Sequence, residues 1–83
     1  MSEKERKIRD AFQAEEVARR FLETHYGDNI KELSFLKSWY SREFWDVEGT
    51  LVLKKGKVKK KSFRYQIDPD SGEAFGYQEI PMR

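Results

Sequence analysis

The sequence predicts a single small α+β domain, in which one N-terminal helix packs on a curved four-stranded antiparallel meander sheet. Apolar residues recur at helical spacing in the first third of the chain and alternate with polar ones in the rest. The 83 residues include two Trp, four Tyr and six Phe, enough apolar mass for one core, and a chain of this length has room for no second one. We therefore assign residues 1–83 to one domain and expect residues 1–5 to be frayed.

The predicted helix runs from about residue 5 to residue 26. Its other face carries acid–base pairs one turn apart, Glu15–Arg19 and Glu16–Arg20, which contribute about 0.2–0.5 kcal/mol each. Gly27 stands where a helix typically ends. The residues of the apolar face follow three- and four-residue spacing, and they are Ile8, Ala11, Phe12, Ala14, Val17, Ala18, Phe21, Leu22 and His25.

Alternating apolar and polar residues predict strands over about residues 32–40, 44–53, 57–67 and 73–80. The first strand is expected to be irregular because Phe35 and Leu36 are adjacent. Pro81 ends the last strand. A helix followed by four strands predicts that the helix covers one face of the sheet and leaves the other open.

A three-residue loop, residues 54–56, is expected to join the second and third strands as a type I turn followed by a left-handed glycine. A two-residue loop would instead set charged residues opposite apolar ones. The register that follows from the three-residue loop pairs Val47 with Phe63, Trp45 with Tyr65, and Asp46 with Arg64.

The aromatic residues divide into a predicted core and a candidate protein-binding set. The predicted core consists of Phe12, Phe21, Trp39, Trp45, Phe63 and Tyr65. The binding candidates are Tyr40, Phe44, Phe75 and Tyr77. A four-residue loop before the last strand would place Phe75 and Tyr77 on the face away from the helix, as a partner surface or dimer interface. A bulge would instead return both to the core.

The strongest charge feature is a basic hairpin between residues 54 and 64, which holds seven cationic residues and no acid. Removing these seven from the 17 Lys and Arg leaves ten against 15 acidic residues. The hairpin therefore has a net charge of +7, and the rest of the chain has a net charge of −5. This segregation favours polyanion binding, or lysines that prevent edge-to-edge aggregation. The polyanion-binding candidates are Lys54, Lys55, Lys57, Lys59, Lys60, Lys61 and Arg64.

Two of these lysines present a burial problem, because Lys59 and Lys61 share strand parity with Phe63 and Tyr65. Unpaired ammonium groups are not buried. Either the hairpin tip extends past the helix, or a bulge rotates both lysines outward.

Several function classes are disfavoured by the composition. Without cysteine there is no disulfide, thiolate nucleophile or zinc knuckle. The single histidine, His25, has no partner motif and suits a helix C-terminus. No metal-binding spacing or phosphate-binding glycine loop occurs. We expect no enzyme activity and no cofactor or metal. With no signal peptide and no apolar membrane span visible, we expect a cytoplasmic protein.

The chain resembles a PepSY-type or, more broadly, cystatin-like unit. The resemblance depends on residues 14–18 of the helix, residues 44–48 of the second strand, and residues 63–73, which are similar to the family's aromatic–x–Val/Ile–Asp–x–x–Thr/Ser–Gly–Glu ending. It implies a non-enzymatic module that binds or restrains another protein, such as a protease, and it transfers no catalytic residue.

The sequence therefore predicts a small non-catalytic binding module. We expect it to bind an unidentified protein or peptide through the open sheet face or an edge strand, as a monomer or weak homodimer. The alternative is weak, sequence-tolerant binding of nucleic acid or another polyanion by the hairpin of residues 54–64.

Overall fold

The structure, a computed structural model, describes residues 7–82. Its elements are α1 (Ala11–Tyr26), a 3-10 turn (Gly27–Asn29), β1 (Ile30–Ser41), β2 (Phe44–Leu53), β3 (Lys60–Ile67) and β4 (Ala74–Pro81). The strands are antiparallel and lie in the order β1-β2-β3-β4. The predicted α+β fold is confirmed, while the frayed segment predicted for residues 1–5 lies outside the described residues.

The helix begins at Ala11, later than predicted, because Asp10 caps it. The Asp10 backbone is extended and its carboxylate accepts a 2.8 Å hydrogen bond from the Gln13 N–H, which satisfies a donor that the first turn leaves unpaired. Before the cap, the Ile8 N–H donates to the Pro69 carbonyl at 3.0 Å. Residues 7–10 therefore run beside the β3–β4 turn instead of extending the helix.

The predicted register between β2 and β3 is wrong by two residues. Val47 pairs with Tyr65, and Glu48 with Arg64. The connecting loop consequently spans residues 54–59, and β3 begins at Lys60 instead of residue 57. A shift of two preserves which side chains share a face, because side chains alternate with period two.

The longer loop is held by one hydrogen bond between its two ends and by two more from a residue distant in the sequence. The Leu53 N–H donates to the Lys59 carbonyl at 2.7 Å. Asn29, from the 3-10 turn, accepts from the Lys55 N–H at 2.9 Å and donates to the Lys55 carbonyl at 3.0 Å. One side-chain amide thus bonds both main-chain groups of Lys55, and this anchor holds the base of the loop.

β1 is irregular, as expected, and its bulges change which residues face the helix. Register shifts lie between Ile30 and Glu32 and between Phe35 and Lys37. Phe35 packs against the core, whereas Trp39 pairs with Asp46 and lies on the face away from the helix. The expectation that Trp39 belongs to the core is therefore wrong, because the second bulge reverses the alternation.

The core lies between α1 and the helix-facing side of the sheet. Phe12 is 69% exposed and Phe21 is 41% exposed, so the prediction that both are core residues is wrong. Ala14 faces the sheet, and Phe12 lies two residues earlier, about 200° round the helix. The buried apolar residues are Ile8, Ala14, Ala18, Leu22, Val47, Leu51, Leu53, Phe63, Tyr65 and Ile67.

Candidate functional site

The face of the sheet opposite α1 is uncovered within the described residues, and we call it the open face. Its centre holds an ion pair between β2 and β3. Asp46 is only 2% exposed, and its Oδ1 accepts from both Nε and Nη2 of Arg64 at 3.0 Å. Gln66 Nε2 lies 3.5 Å from the same oxygen, and Glu48 Oε2 lies 3.9 Å from Arg64 Nε. Arg64 is thus paired with neighbouring carboxylates.

Trp39 extends this cluster onto β1. The guanidinium carbon of Arg64 lies 5.6 Å from the centre of the Trp39 ring, and Lys37 Nζ lies 4.7 Å from it. Both distances fall within the range of cation–π attraction. Trp39 is half-buried by these side chains, although it lies on the open face.

A groove of about 270 Å³ crosses the open face beside the ion pair. Leu36, from the bulge of β1, is 69% exposed, and Ile80 of β4 is 54% exposed. Between these two apolar residues lie polar groups of β2, β3 and β4. The groove as a whole is lined by Leu36, Glu48, Gly49, Ser62, Phe63, Arg64, Gln78 and Ile80. It offers apolar contact and hydrogen-bonding groups to the same ligand.

Tyr77 and Phe75, the aromatic binding candidates on β4, do not form one patch. A bulge between Gln66 and Ile67 sets Tyr77 opposite Tyr65 on the helix-facing side. Its ring lies 4.9 Å from that of Tyr65, yet Tyr77 remains 53% exposed, because α1 packs mainly on β1 to β3. The bulge returns Tyr77 to the helix-facing side without burying it.

Phe75 is 59% exposed and meets Phe44 edge to face at 5.3 Å between ring centres. The fourth candidate, Tyr40, is 40% exposed and packs against Trp45 at 5.4 Å. The four predicted protein-binding residues therefore lie in three separate places on the sheet.

Lys61 is tied into a cluster that joins α1, β3 and β4. Its Nζ donates to Tyr26 Oη at 3.0 Å and to Glu79 Oε1 at 3.1 Å, and Tyr26 Oη donates to the Glu79 carboxylate at 2.7 Å. The hydrogen bond to Tyr26 and that to Glu79 raise the pKa of Lys61. Burial raises the pKa of Tyr26. Lys61 thus faces the helix side as a paired cation.

The other five lysines of the basic hairpin lie in the connection of residues 54–59 and at Lys60, the first residue of β3, and we call residues 54–60 together the lysine loop. Within the described part of the chain none of these five is in an ion pair, and each is exposed. Lys59 is exposed because the loop extends beyond the strands, which is one of the two alternatives left open by the sequence. The five are Lys54, Lys55, Lys57, Lys59 and Lys60.

Four residues of these surfaces were not predicted from the sequence: Asn29, Leu36, Ile80 and Glu79. Leu36 could have been found, because successive side chains of a strand point to opposite faces, so one of the two adjacent apolar residues Phe35 and Leu36 has to face away from the helix. The Asn29 anchor and the Glu79 cluster depend on long-range pairing and have no local signal.

Among residues 7–82 no group of three or more His, Cys, Asp or Glu side chains is placed to hold a metal ion. Nor does that part of the chain contain a helix long and apolar enough to cross a membrane. His25 is exposed at the end of α1, with its ring 4.6 Å from that of Tyr26.

Comparison of the chain with protein families, curated proteins and solved structures finds no significant match.

Proposed function

We propose that this protein is a non-catalytic binding module that holds a polypeptide segment of another protein on the open face of its sheet. The observation that carries this proposal is the groove between Leu36 and Ile80, two apolar side chains that are more than half exposed on an uncovered face. Burying them would contribute binding free energy, and they stand beside fixed polar groups.

The polar groups of the groove give the proposed ligand its chemistry. Arg64 is held by Asp46 at 3.0 Å, so its position is set before a ligand arrives. Ser62 and Gln78 line the same groove and offer hydrogen bonds to a peptide main chain. Apolar contact combined with prepositioned polar groups is typical of protein interfaces. A segment with an aliphatic or aromatic side chain and free main-chain groups fits this surface.

Selection from a displayed library of random peptides tests the proposal. We expect enriched peptides to shift the NMR amide signals of β1 and β4 residues that line the groove. Leu36→Lys and Ile80→Lys should each weaken binding by about tenfold or more. Thr24→Lys, on the exposed side of α1, is the matched control. Failure to enrich any peptide, or binding unaffected by both groove substitutions, would contradict the proposal.

Polyanion binding by the lysine loop is a second candidate, supported by its five exposed lysines without an ion pair among the described residues. We expect single-stranded DNA to bind at about 50 mM salt and to be released as salt increases. Replacing Lys57, Lys59 and Lys60 by Gln should abolish binding, whereas Lys31→Gln should not. Lys61 and Arg64, already paired with carboxylates, are expected to contribute less.

The resemblance to PepSY-type and cystatin-like units stays part of this proposal, as does the cytoplasmic location predicted from the sequence. Both accord with a module that binds another protein without catalysis. A stable complex with an unrelated partner protein, formed by the purified chain, would support the same conclusion.

A further inference from the structure

Among residues 7–82 no strand pairs with the outer edge of β4, and the pairing with β3 shows which main-chain groups lie at that edge. The Met82 N–H donates to the Lys60 carbonyl at 2.8 Å. Every second residue of an antiparallel strand bonds the same neighbour, so Ile80 and Gln78 also direct their main-chain groups towards β3. The N–H and C=O groups of Tyr77 and Glu79 consequently point outward.

The two edges of the sheet differ in how they are protected. β1 contains two bulges and the charged residues Lys31 and Lys37, features that discourage pairing with another strand. The central residues of β4, from Gly76 to Ile80, contain no register shift. Their one charge, on Glu79, is held by Tyr26 and Lys61. β4 is therefore the edge that is open to a further strand.

The side chains of β4 are exposed on both faces of the sheet. Tyr77 is 53% exposed on the helix-facing side, and Ile80 is 54% exposed on the open face. A neighbouring strand would contact both, because its side chains also alternate between the faces.

We propose that the strand added to β4 is β4 of a second copy of this chain, in antiparallel orientation, which joins the two sheets into one of eight strands. The two-fold axis passes beside Gln78. Tyr77 then exchanges main-chain hydrogen bonds with Glu79 of the second copy, and Ile80 lies opposite Gly76 of the second copy. The bulky residue thus meets the one residue of the strand without a side chain.

The register and direction follow from the bulge and the charges. Pairing centred on Gln78 uses only the regular part of β4 and leaves the bulge opposite Ile67 outside the paired residues. The β3–β4 turn, residues 68–73, contains three carboxylates and no cation, and the lysine loop lies at the other end of the strand. Antiparallel pairing sets each acidic end beside a basic one, whereas parallel pairing would set like charges together.

Sedimentation of the purified chain over a range of concentrations tests the dimer. Tyr77→Pro removes an outward N–H without touching a bond to β3, and we expect it to weaken association by about tenfold or more. Tyr77→Ala keeps that N–H and is the matched control, with a smaller loss expected. Circular dichroism checks that both variants are folded. A wild-type monomer up to about 1 mM, or equal dimerisation of Tyr77→Pro, would overturn the proposal.

Single cysteines in a chain that has none test the register. In the proposed dimer the two Gln78 Cα atoms lie about 4.5 Å apart, within the range of a disulfide. The two Ile80 Cα atoms lie four residues out of register, about 14 Å apart. Gln78→Cys should therefore form a disulfide-linked dimer on oxidation, and Ile80→Cys should not. Faster cross-linking of Ile80→Cys would overturn the register. If the protein is monomeric, the dimer proposal fails, but the proposal that a peptide binds on the open face still stands.

Discussion

Arg64 and Asp46 form a two-bonded ion pair on the open side of the sheet. Both bonds measure 3.0 Å and end on the same carboxylate oxygen. The Arg64 side chain is 44% exposed, whereas that of Asp46 is 2% exposed. The buried Asp46 carboxylate is therefore hydrogen-bonded by Arg64 and not by water. The Arg64 guanidinium is more exposed and can also hydrogen-bond to water.

This asymmetry predicts the effect of Arg64→Met. The change leaves the buried Asp46 carboxylate with only the long 3.5 Å contact from Gln66, and we expect a loss of about 1–3 kcal/mol of unfolding free energy. The double variant Asp46→Asn/Arg64→Met should recover part of it. Urea denaturation measures both. A single-variant loss below about 0.5 kcal/mol, the range of ordinary surface substitutions, would contradict the prediction.

Gly49→Ala should destabilise the sheet. A Cβ at this position would collide with the Ser34 carbonyl oxygen and with the Phe63 ring, and overpacking of this kind costs about 1–3 kcal/mol. Thermal unfolding measures the effect, with Thr50→Ala on the open face as the control. Equal melting temperatures for the two variants would show that the core adapts to the extra methyl group.

Asn29→Ala should loosen the base of the lysine loop. Because the amide makes two hydrogen bonds to the Lys55 main chain, its removal should cost about 1–2 kcal/mol. Faster hydrogen exchange of the Lys55 amide is the local readout. Asp28→Ala, one residue earlier, is the control and should leave that exchange rate unchanged. If both variants exchange alike, the anchor does not hold the loop.

Alkaline pH should destabilise the fold. Burial raises the pKa of Tyr26 and of Tyr65, and its hydrogen bond to Tyr26 raises that of Lys61. Folding thus favours the protonated groups. Their contribution is complete below the unfolded values of about 10 and is lost as pH rises through the higher folded values.

Urea denaturation between about pH 8 and pH 11 measures this loss. Tyr65→Phe removes one of the three groups, so its unfolding free energy should fall less steeply with pH than that of the wild type. Tyr40→Phe, the same change at a tyrosine that packs against Trp45, is the control. If the unfolding free energies of the wild type and of Tyr65→Phe fall equally steeply with pH, Tyr65 is not a source of the alkaline destabilisation.

The sequence was sufficient to predict the helix, the four strands and the faces of β2 and β3, because these follow from local periodicity. The register between those strands was not predictable in the same way. Registers two residues apart satisfy the same alternation, and the longer loop of the observed register is held by hydrogen bonds from Asn29, which is distant in the sequence. The start of the helix had a usable signal, since Asp10 followed by Gln13 is typical of a helix cap.

The sequence predicted that one face of the sheet is open, but it did not predict which side chains lie on that face. Trp39 was expected in the core because the bulge before Lys37 could not be positioned from the sequence. The pairing of Lys61 with Glu79 depends on the β3–β4 register, which the sequence does not reveal. Lys61 was therefore grouped with the other lysines as a polyanion-binding candidate.

The bulges of β1 have a consequence for assembly. A sheet with two receptive edges can add copy after copy and grow into a fibre. β1 carries two bulges and the charged residues Lys31 and Lys37, and in the dimer proposed above both outer edges of the joined sheet would be β1. Such a dimer would present no receptive edge to a third copy, so growth would end at two.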